Sequence, residues 1–255
     1  MRRPKVVACC LIVLLAGSRF ASALPTVEEL EKKLAEVEKT MKSFSGDAKM
    51  SGTEGQLAIT ATVSRVSLFV RDGDKILIKD RIAGDMTLRR PDGRELALET
   101  KRISDGATVW QEMRRAGTDR IQVIKKRADA KDDRGVASNQ TPLEDFKTDR
   151  EMYDLKVTGE ETLDGEAVYV LEGTFQDAYL KKNPASAERG KTRHKIRRYY
   201  AKKDMLERNE IAHDTNGKLS YHLVVTNVKV NPEVDEKLFE YTPPPGAQVR
   251  DMTGE

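Results

Sequence analysis

Residues 72–110 read DGDKILIKDRIAGDMTLRRPDGRELALETKRISDGATVW. Three Asp-Gly pairs punctuate the stretch, at Asp72-Gly73, Asp92-Gly93 and Asp105-Gly106. Such pairs tolerate positive φ at both central positions of a tight hairpin. Between them the apolar residues alternate: Ile76 and Ile78 oppose Leu77, while Leu96 and Leu98 sit between Glu95, Ala97 and Glu99. Period two with short connections describes successive antiparallel strands. The same signals recur downstream at Asp164-Gly165 and Asn216-Gly217. Val168 and Val170 alternate with Ala167, Tyr169 and Leu171, and Leu219, Tyr221, Leu223 and Val225 share one face of a long strand. Strands do not alternate with long helices, which argues against a parallel α/β sheet.

Two helices are legible. Thr26 with Glu29 forms a capping box, and Val27, Leu30, Leu34, Val37 and Met41 follow at spacings of three and four. This single narrow stripe has to be buried against something, and Ser45-Gly46 ends the segment. Thr141-Pro142-Leu143-Glu144 is a second capping box, with proline at the first helical position, opening a short helix through Phe146 to about Tyr153. Two polar stretches, Ala128 to Gln140 and Asp177 to Gly190, interrupt the strands. Near the end, Pro243-Pro244-Pro245-Gly246 is incompatible with a helix or a central strand.

The N-terminus reads as a secretory leader. Arg2, Arg3 and Lys5 precede an apolar run from Val6 to Gly17, and Ala21-Ser22-Ala23 fits a cleavage site after Ala23. A run of about a dozen residues is too short for a spanning helix. Ser18 stands where a lipidated cysteine would have to be. Removal of residues 1–23 takes away both cysteines, Cys9 and Cys10, which excludes disulfides, cysteine metal ligands and a cysteine nucleophile from the remainder. Without Arg2, Arg3, Lys5 and Arg19, the 45 basic residues fall to 41 against 42 acidic ones. That near-neutral balance gives no case for nucleic acid as a partner.

Motifs for chemistry are absent. His194, His213 and His222 are not at metal-ligand spacing, and there is no H-E-x-x-H, G-x-S-x-G, phosphate-binding loop or dinucleotide fingerprint. No catalytic residue, cofactor or metal is therefore expected. Asp132-Asp133 reads as a solvated charge pair, and Asn139-Gln140-Thr141 matches a glycosylation sequon. Arg189, Lys191, Arg193, Lys195 and Arg197 are basic at every second position. On a strand they would leave one face together. That face would be solvated and block edge pairing, or it would dock an acidic partner or anionic head groups. Trp110, the one tryptophan, follows a hairpin turn and reads as core or as cavity wall, which coincide in a concave sheet.

The order of these features resembles the LolA/LolB-like lipoprotein carrier, or lipoprotein-sorting, family. A leader and an amphipathic helix come first. Gly84-Asp85-Met86-Thr87-Leu88-Arg89-Arg90-Pro91 is similar to the family's strand–turn segment, and Ser104-Asp105-Gly106 through Val109-Trp110 to its Asp-Gly…Trp turn. Tyr153 to Val170 resembles a paired-strand segment. Val228-Lys229-Val230-Asn231, Leu238-Phe239 and Pro245-Gly246 resemble the closing segment. The match covers most of residues 26–252 outside the two polar stretches.

The resemblance implies a mainly β (α+β) fold: an unclosed antiparallel β-barrel or curved sheet, with an N-terminal helix and a short helix covering the concave face. Residues 24–255 would form one lipid-binding domain. It implies a periplasmic carrier or chaperone for acyl chains of lipids or lipoproteins, with an inner-membrane donor, an outer-membrane acceptor and peripheral membrane contact. The 26–42 stripe would lie on an inner face carrying Phe69, Leu96 and Leu98. With Leu30, Leu34, Trp110 and Phe146, these are the candidate cavity residues. At 5% the aromatic side chains are too few to fill a closed barrel, which favours an open mouth. A regulatory module that senses envelope lipoproteins and binds a protein partner is the alternative on the same fold, and a hydrolase without a motif is the third reading.

Overall fold

The computed structural model describes residues 23–73, 75–129 and 140–254. The leader up to Ser22, Asp132, Asp133 and Asn139 lie outside them. The elements run α1 (Val27–Thr40), β1 (Ser43–Glu54), β2 (Leu57–Asp72), β3 (Lys75–Arg89), β4 (Glu95–Ser104), β5 (Thr108–Arg115) and β6 (Ile121–Arg127). Then come α2 (Pro142–Met152), β7 (Tyr153–Leu163), β8 (Glu166–Phe175), α3 (Asp177–Lys182), α4 (Ala187–Thr192) and β9 (Lys195–Ala201). β10 (Glu207–His213), β11 (Leu219–Val230) and β12 (Gln248–Asp251) complete the order. All twelve strands belong to one sheet, ordered β12-β6-β5-β4-β3-β2-β1-β11-β10-β9-β8-β7. β12 and β7 are its two edges, so the sheet does not close on itself.

Every pair is antiparallel except β12 with β6, where Gln248 to Asp251 run parallel to Gln122 to Lys125. A purely antiparallel meander missed this strand, because only a long excursion can bring a parallel partner alongside. The turns also depart from the simple expectation. The glycines of the five Asx-Gly pairs have φ between 58° and 99°, but only at Asp164-Gly165 does the preceding residue also turn left-handed, at 50°. The polar stretch from Asp177 to Gly190 is not a loop. It folds into α3 and α4, and Tyr179 meets Phe175 edge-on with ring centroids 5.9 Å apart.

Both capping boxes form. Thr26 and Thr141 accept from the backbone N–H of Glu29 and Glu144, whose carboxylates accept the N–H of the cap in return. The stripe of α1 does not lie on Leu96 and Leu98. Leu30 and Leu34 pack with Phe146 of α2 and with Tyr169, Leu171, Tyr200 and Met205. Toward its end, Val37 and the following Met41 pack against the cluster of Phe69, Ile78 and Leu206. From its junction with β1, α1 crosses toward the β11 side of the sheet and comes down over β8 and β9, away from β4. Sequence periodicity shows that a stripe is buried but not on which strands.

Trp110 requires a correction. It pairs with Ile103 and Lys125, whereas Arg102 and Gln111 pair on the opposite face. Arg102 shares Asp80 with Arg65, which faces the concavity. Trp110 therefore points out of the convex face. There it meets Tyr241 at 5.4 Å between centroids, in the segment that crosses this face to reach β12. The Tyr241 hydroxyl donates to buried Glu112 at 2.7 Å. A one-residue difference in register exchanges faces, and the turn at Asp105-Gly106 did not disclose that parity.

Gly84 lets the two longest strands approach. A Cβ there would stand 2.0 Å from the Thr62 carbonyl oxygen and 2.7 Å from Val63 Cα, both backbone atoms that cannot swing aside. Gly159 has nothing within 4 Å of the same position. We expect Gly84→Val to cost at least the 1–3 kcal/mol typical of overpacking, and Gly159→Ala to cost close to nothing. Urea unfolding midpoints of the two variants check this, and equal midpoints would contradict it.

Candidate ligand cavity

The concave face is formed by alternate residues of the central strands. Ala48 pairs with Val63 and Val225, and Met50 with Ala61 and Leu223, so their side chains share one surface. Ile82 joins them from β3, and Phe44 and Phe69 close the end nearest α1. Above this floor lies α2, whose Pro142, Thr148 and Met152 face it. Between roof and floor is a cavity of about 390 Å³. That is within the ~300–1,000 Å³ of small-molecule sites.

One wall is ionic. Arg198 on β9 is buried and donates from Nη1 to Asp149 on α2, and its Nη2 lies 3.1 Å from Glu210 on β10. Glu207 stands 3.5 Å from its Nε. Glu210 also takes Arg193, at 3.2 Å, whose guanidinium carbon is 3.5 Å from the Tyr221 ring centre. Burial raises the Asp149 carboxyl to about 6, against the pull of Arg198. Burial also pushes Glu207 above the usual carboxylate range. For Glu210 burial works the same way, but Arg198, Arg193 and Arg189 outweigh it and hold its carboxyl below the usual value. A second cluster lies across the floor. Asp80 accepts from Arg65 Nε at 3.0 Å, Arg102 Nη1 at 2.5 Å and Ser67 Oγ at 2.7 Å.

Of the residues expected in a cavity, Leu34 and Phe69 line it. Leu30 and Phe146 sit in the adjoining core under α1. Leu98 pairs with Met86 on the concave side, beyond the end of the cavity. Leu96 lies further along that face in a separate hollow of about 370 Å³ with Leu57, Leu88, Arg90, Arg94 and Arg115. Trp110 is on the other face.

The five-residue basic strip does not exist as a strip. Arg189 and Lys191 belong to α4, and Arg193 caps its C-terminus. Residues four apart on a helix share a side, whereas residues two apart do not. Arg189 and Arg193 accordingly line the cavity, and exposed Lys191 approaches Glu188 at 3.9 Å. Only Lys195 and Arg197 are on β9, on its outer face, where Arg197 pairs with Glu161 and Glu172. Sequence reasoning missed Asp149, Arg198, Glu207 and Glu210. The one signal was Glu207-Arg208-Asn209-Glu210, a polar run inside a strand that should have alternated.

No protein-family model matches the chain, and no curated protein matches it. Its fold is similar to those of several solved structures. LprF from Mycobacterium bovis is 13% identical, with 82% of this chain and 94% of that one covered and a TM-score of 0.47. In the Pseudomonas aeruginosa MucA/MucB complex the identity is 15%, over 85% of this chain and 61% of that one, with a TM-score of 0.44. The lipoprotein LppX from Mycobacterium tuberculosis is 13% identical, over 82% and 97%, with a TM-score of 0.41. All three scores are below 0.5, so the functional reading rests on the cavity itself. Among the described residues no group of three His, Cys, Asp or Glu is placed to hold a metal ion, and no helix is long and apolar enough to cross a membrane.

Removing the Arg198 cation would leave buried carboxylates uncompensated. We expect Arg198→Met to lose about 3–5 kcal/mol near neutral pH. In that variant the folded-state pKa values of the carboxylates rise above their unfolded values. The folded state then binds more protons, and stability falls as pH rises through that window. The deficit relative to the parent should be smaller at pH 5 than at pH 8, as read by urea unfolding. A deficit that grows on acidification would contradict the assignment.

Proposed function

We propose that the chain is an exported carrier that holds acyl chains of lipids or lipoproteins in the cavity between α2 and the concave sheet. The carrying observation is the unfilled apolar floor of Ala48, Met50, Val63, Ile82, Leu223 and Val225 beneath a helical roof. An unclosed sheet leaves its inner face in need of cover, and here α1 and α2 cover only part of it. The reaction is sequestration, without bond making. Each buried methylene is worth about 0.8 kcal/mol, so six would contribute about 5 kcal/mol, enough for a reversible hold. The basic and apolar N-terminal run supports an envelope location, where the carrier would pass cargo from an inner-membrane donor to an outer-membrane acceptor.

Filling the cavity tests this. Ala48→Phe should lower the affinity for a fluorescent fatty acid at least tenfold, without lowering the unfolding midpoint. Because Trp110 is on the convex face, its emission should stay unchanged as the acyl ligand is added. Undiminished binding by the filled variant, or a ligand-dependent Trp110 shift, would count against this cavity as the site.

A further inference from the structure

Arg189 is the one guanidinium of the ionic wall without a direct carboxylate contact, although its field reaches Glu210 and Asp149. Among the described residues it forms no ion pair, and its buried Nε has no hydrogen-bond partner. Gln140 Oε1, on a residue lining the same cavity, is also buried without a hydrogen bond, whereas Arg198 Nε and Glu207 Oε1 face each other at 3.5 Å as an ion pair. Buried polar atoms nearly always find partners in protein, water or ligand. Two such atoms at one cavity mark a place where a polar group from outside the chain completes the network. Arg198 itself is nine-tenths buried, so the network belongs to the interior of the cavity and not to its rim.

The sign of that group follows from the inventory. Arg189, Arg193 and Arg198 face Asp149, Glu207 and Glu210. Arg198 takes up Asp149, Glu207 and Glu210, and Arg193 takes up Glu210, which leaves the Arg189 Nε as a buried donor that calls for an acceptor oxygen. Asp145, which also lines the cavity one turn before Asp149, lies in the fields of Arg65 and Arg198. Arg189 therefore offers a free cationic donor, and Arg193 stands four residues away on the same side of α4. Leu223 and Val225 line the cavity beside them, so an anion here continues into apolar surface.

We propose that the cavity takes an anionic amphiphile head first: its phosphate or carboxylate is bound inside by Arg189 and Arg193, and its acyl chain lies along the apolar floor. This rests on the acyl-binding reading above and adds the charge and orientation of the ligand.

The test is calorimetric titration of the full-length mature protein with dodecyl phosphate, dodecanol and inorganic phosphate, each below its aggregation limit. Dodecyl phosphate should bind about tenfold or more tighter than dodecanol, since a hydrogen bond to a charged group is worth about a factor of ten. Arg189→Gln should bring the two affinities together by weakening only the phosphate, and Arg189→Lys should restore part of the gap. Equal affinities in the parent protein, a gap that survives Arg189→Gln, or inorganic phosphate binding as tightly as its dodecyl ester would each overturn the inference while leaving acyl binding intact. Failure of both dodecyl compounds to bind the parent would overturn the inference and the carrier reading together.

Discussion

Arg198 ties the roof of the cavity to its floor. Its guanidinium reaches Asp149 on α2 and Glu210 on β10 from a position on β9, so one side chain fixes α2 to the β9–β10 hairpin some fifty residues further on. Glu210 passes the tie on to Arg193 at the end of α4. Such bonds are directional. They hold α2 at a set height above the sheet, which apolar contacts alone would not do, because apolar surfaces close on one another until the space between them is gone.

That arrangement is not the cheapest way to attach a helix. Burying charges costs several kcal/mol per ion, and well-packed hydrophobic residues of similar volume are often as stabilising or more so. Here they would also fill the cavity. The apolar packing is instead placed to the side: Leu30, Leu34 and Phe146 interlock with Tyr169, Leu171 and Tyr200, and Met41 with Phe69 and Ile78. The central floor of β1, β2, β3 and β11 remains open. The segment that crosses the convex face, with Tyr241 on Trp110, covers the other side of the sheet at β5, and β12 extends the sheet beyond β6.

Much of this was legible in the sequence. The two capping boxes located α1 and α2 to within a residue or two, and the Asx-Gly pairs with alternating apolar residues marked the antiparallel turns β2–β3, β3–β4, β4–β5, β7–β8 and β10–β11. Local chemistry fixes such features, and local chemistry is what a sequence displays. The parts that were misread depend on parity or on distant partners. Trp110 changed faces because a single residue of register separates the two. The alternation from Arg189 to Arg197 fits a strand as a pattern, yet a helix occupies its first half, and the helix sends Arg189 and Arg193 into the cavity. β12 finds a parallel partner more than a hundred residues away, and no turn motif announces it. The ionic wall was invisible because its members come from α2, α4, β9 and β10, and each looks like an ordinary surface charge in its own segment.

The most direct measurement is the lipid content of the protein itself. Protein isolated from its native envelope without detergent, then denatured and extracted, should yield acyl-bearing lipid at close to one molecule per chain by mass spectrometry. An extract free of lipid, from protein that also fails to take up acyl chains when they are supplied, would contradict the account.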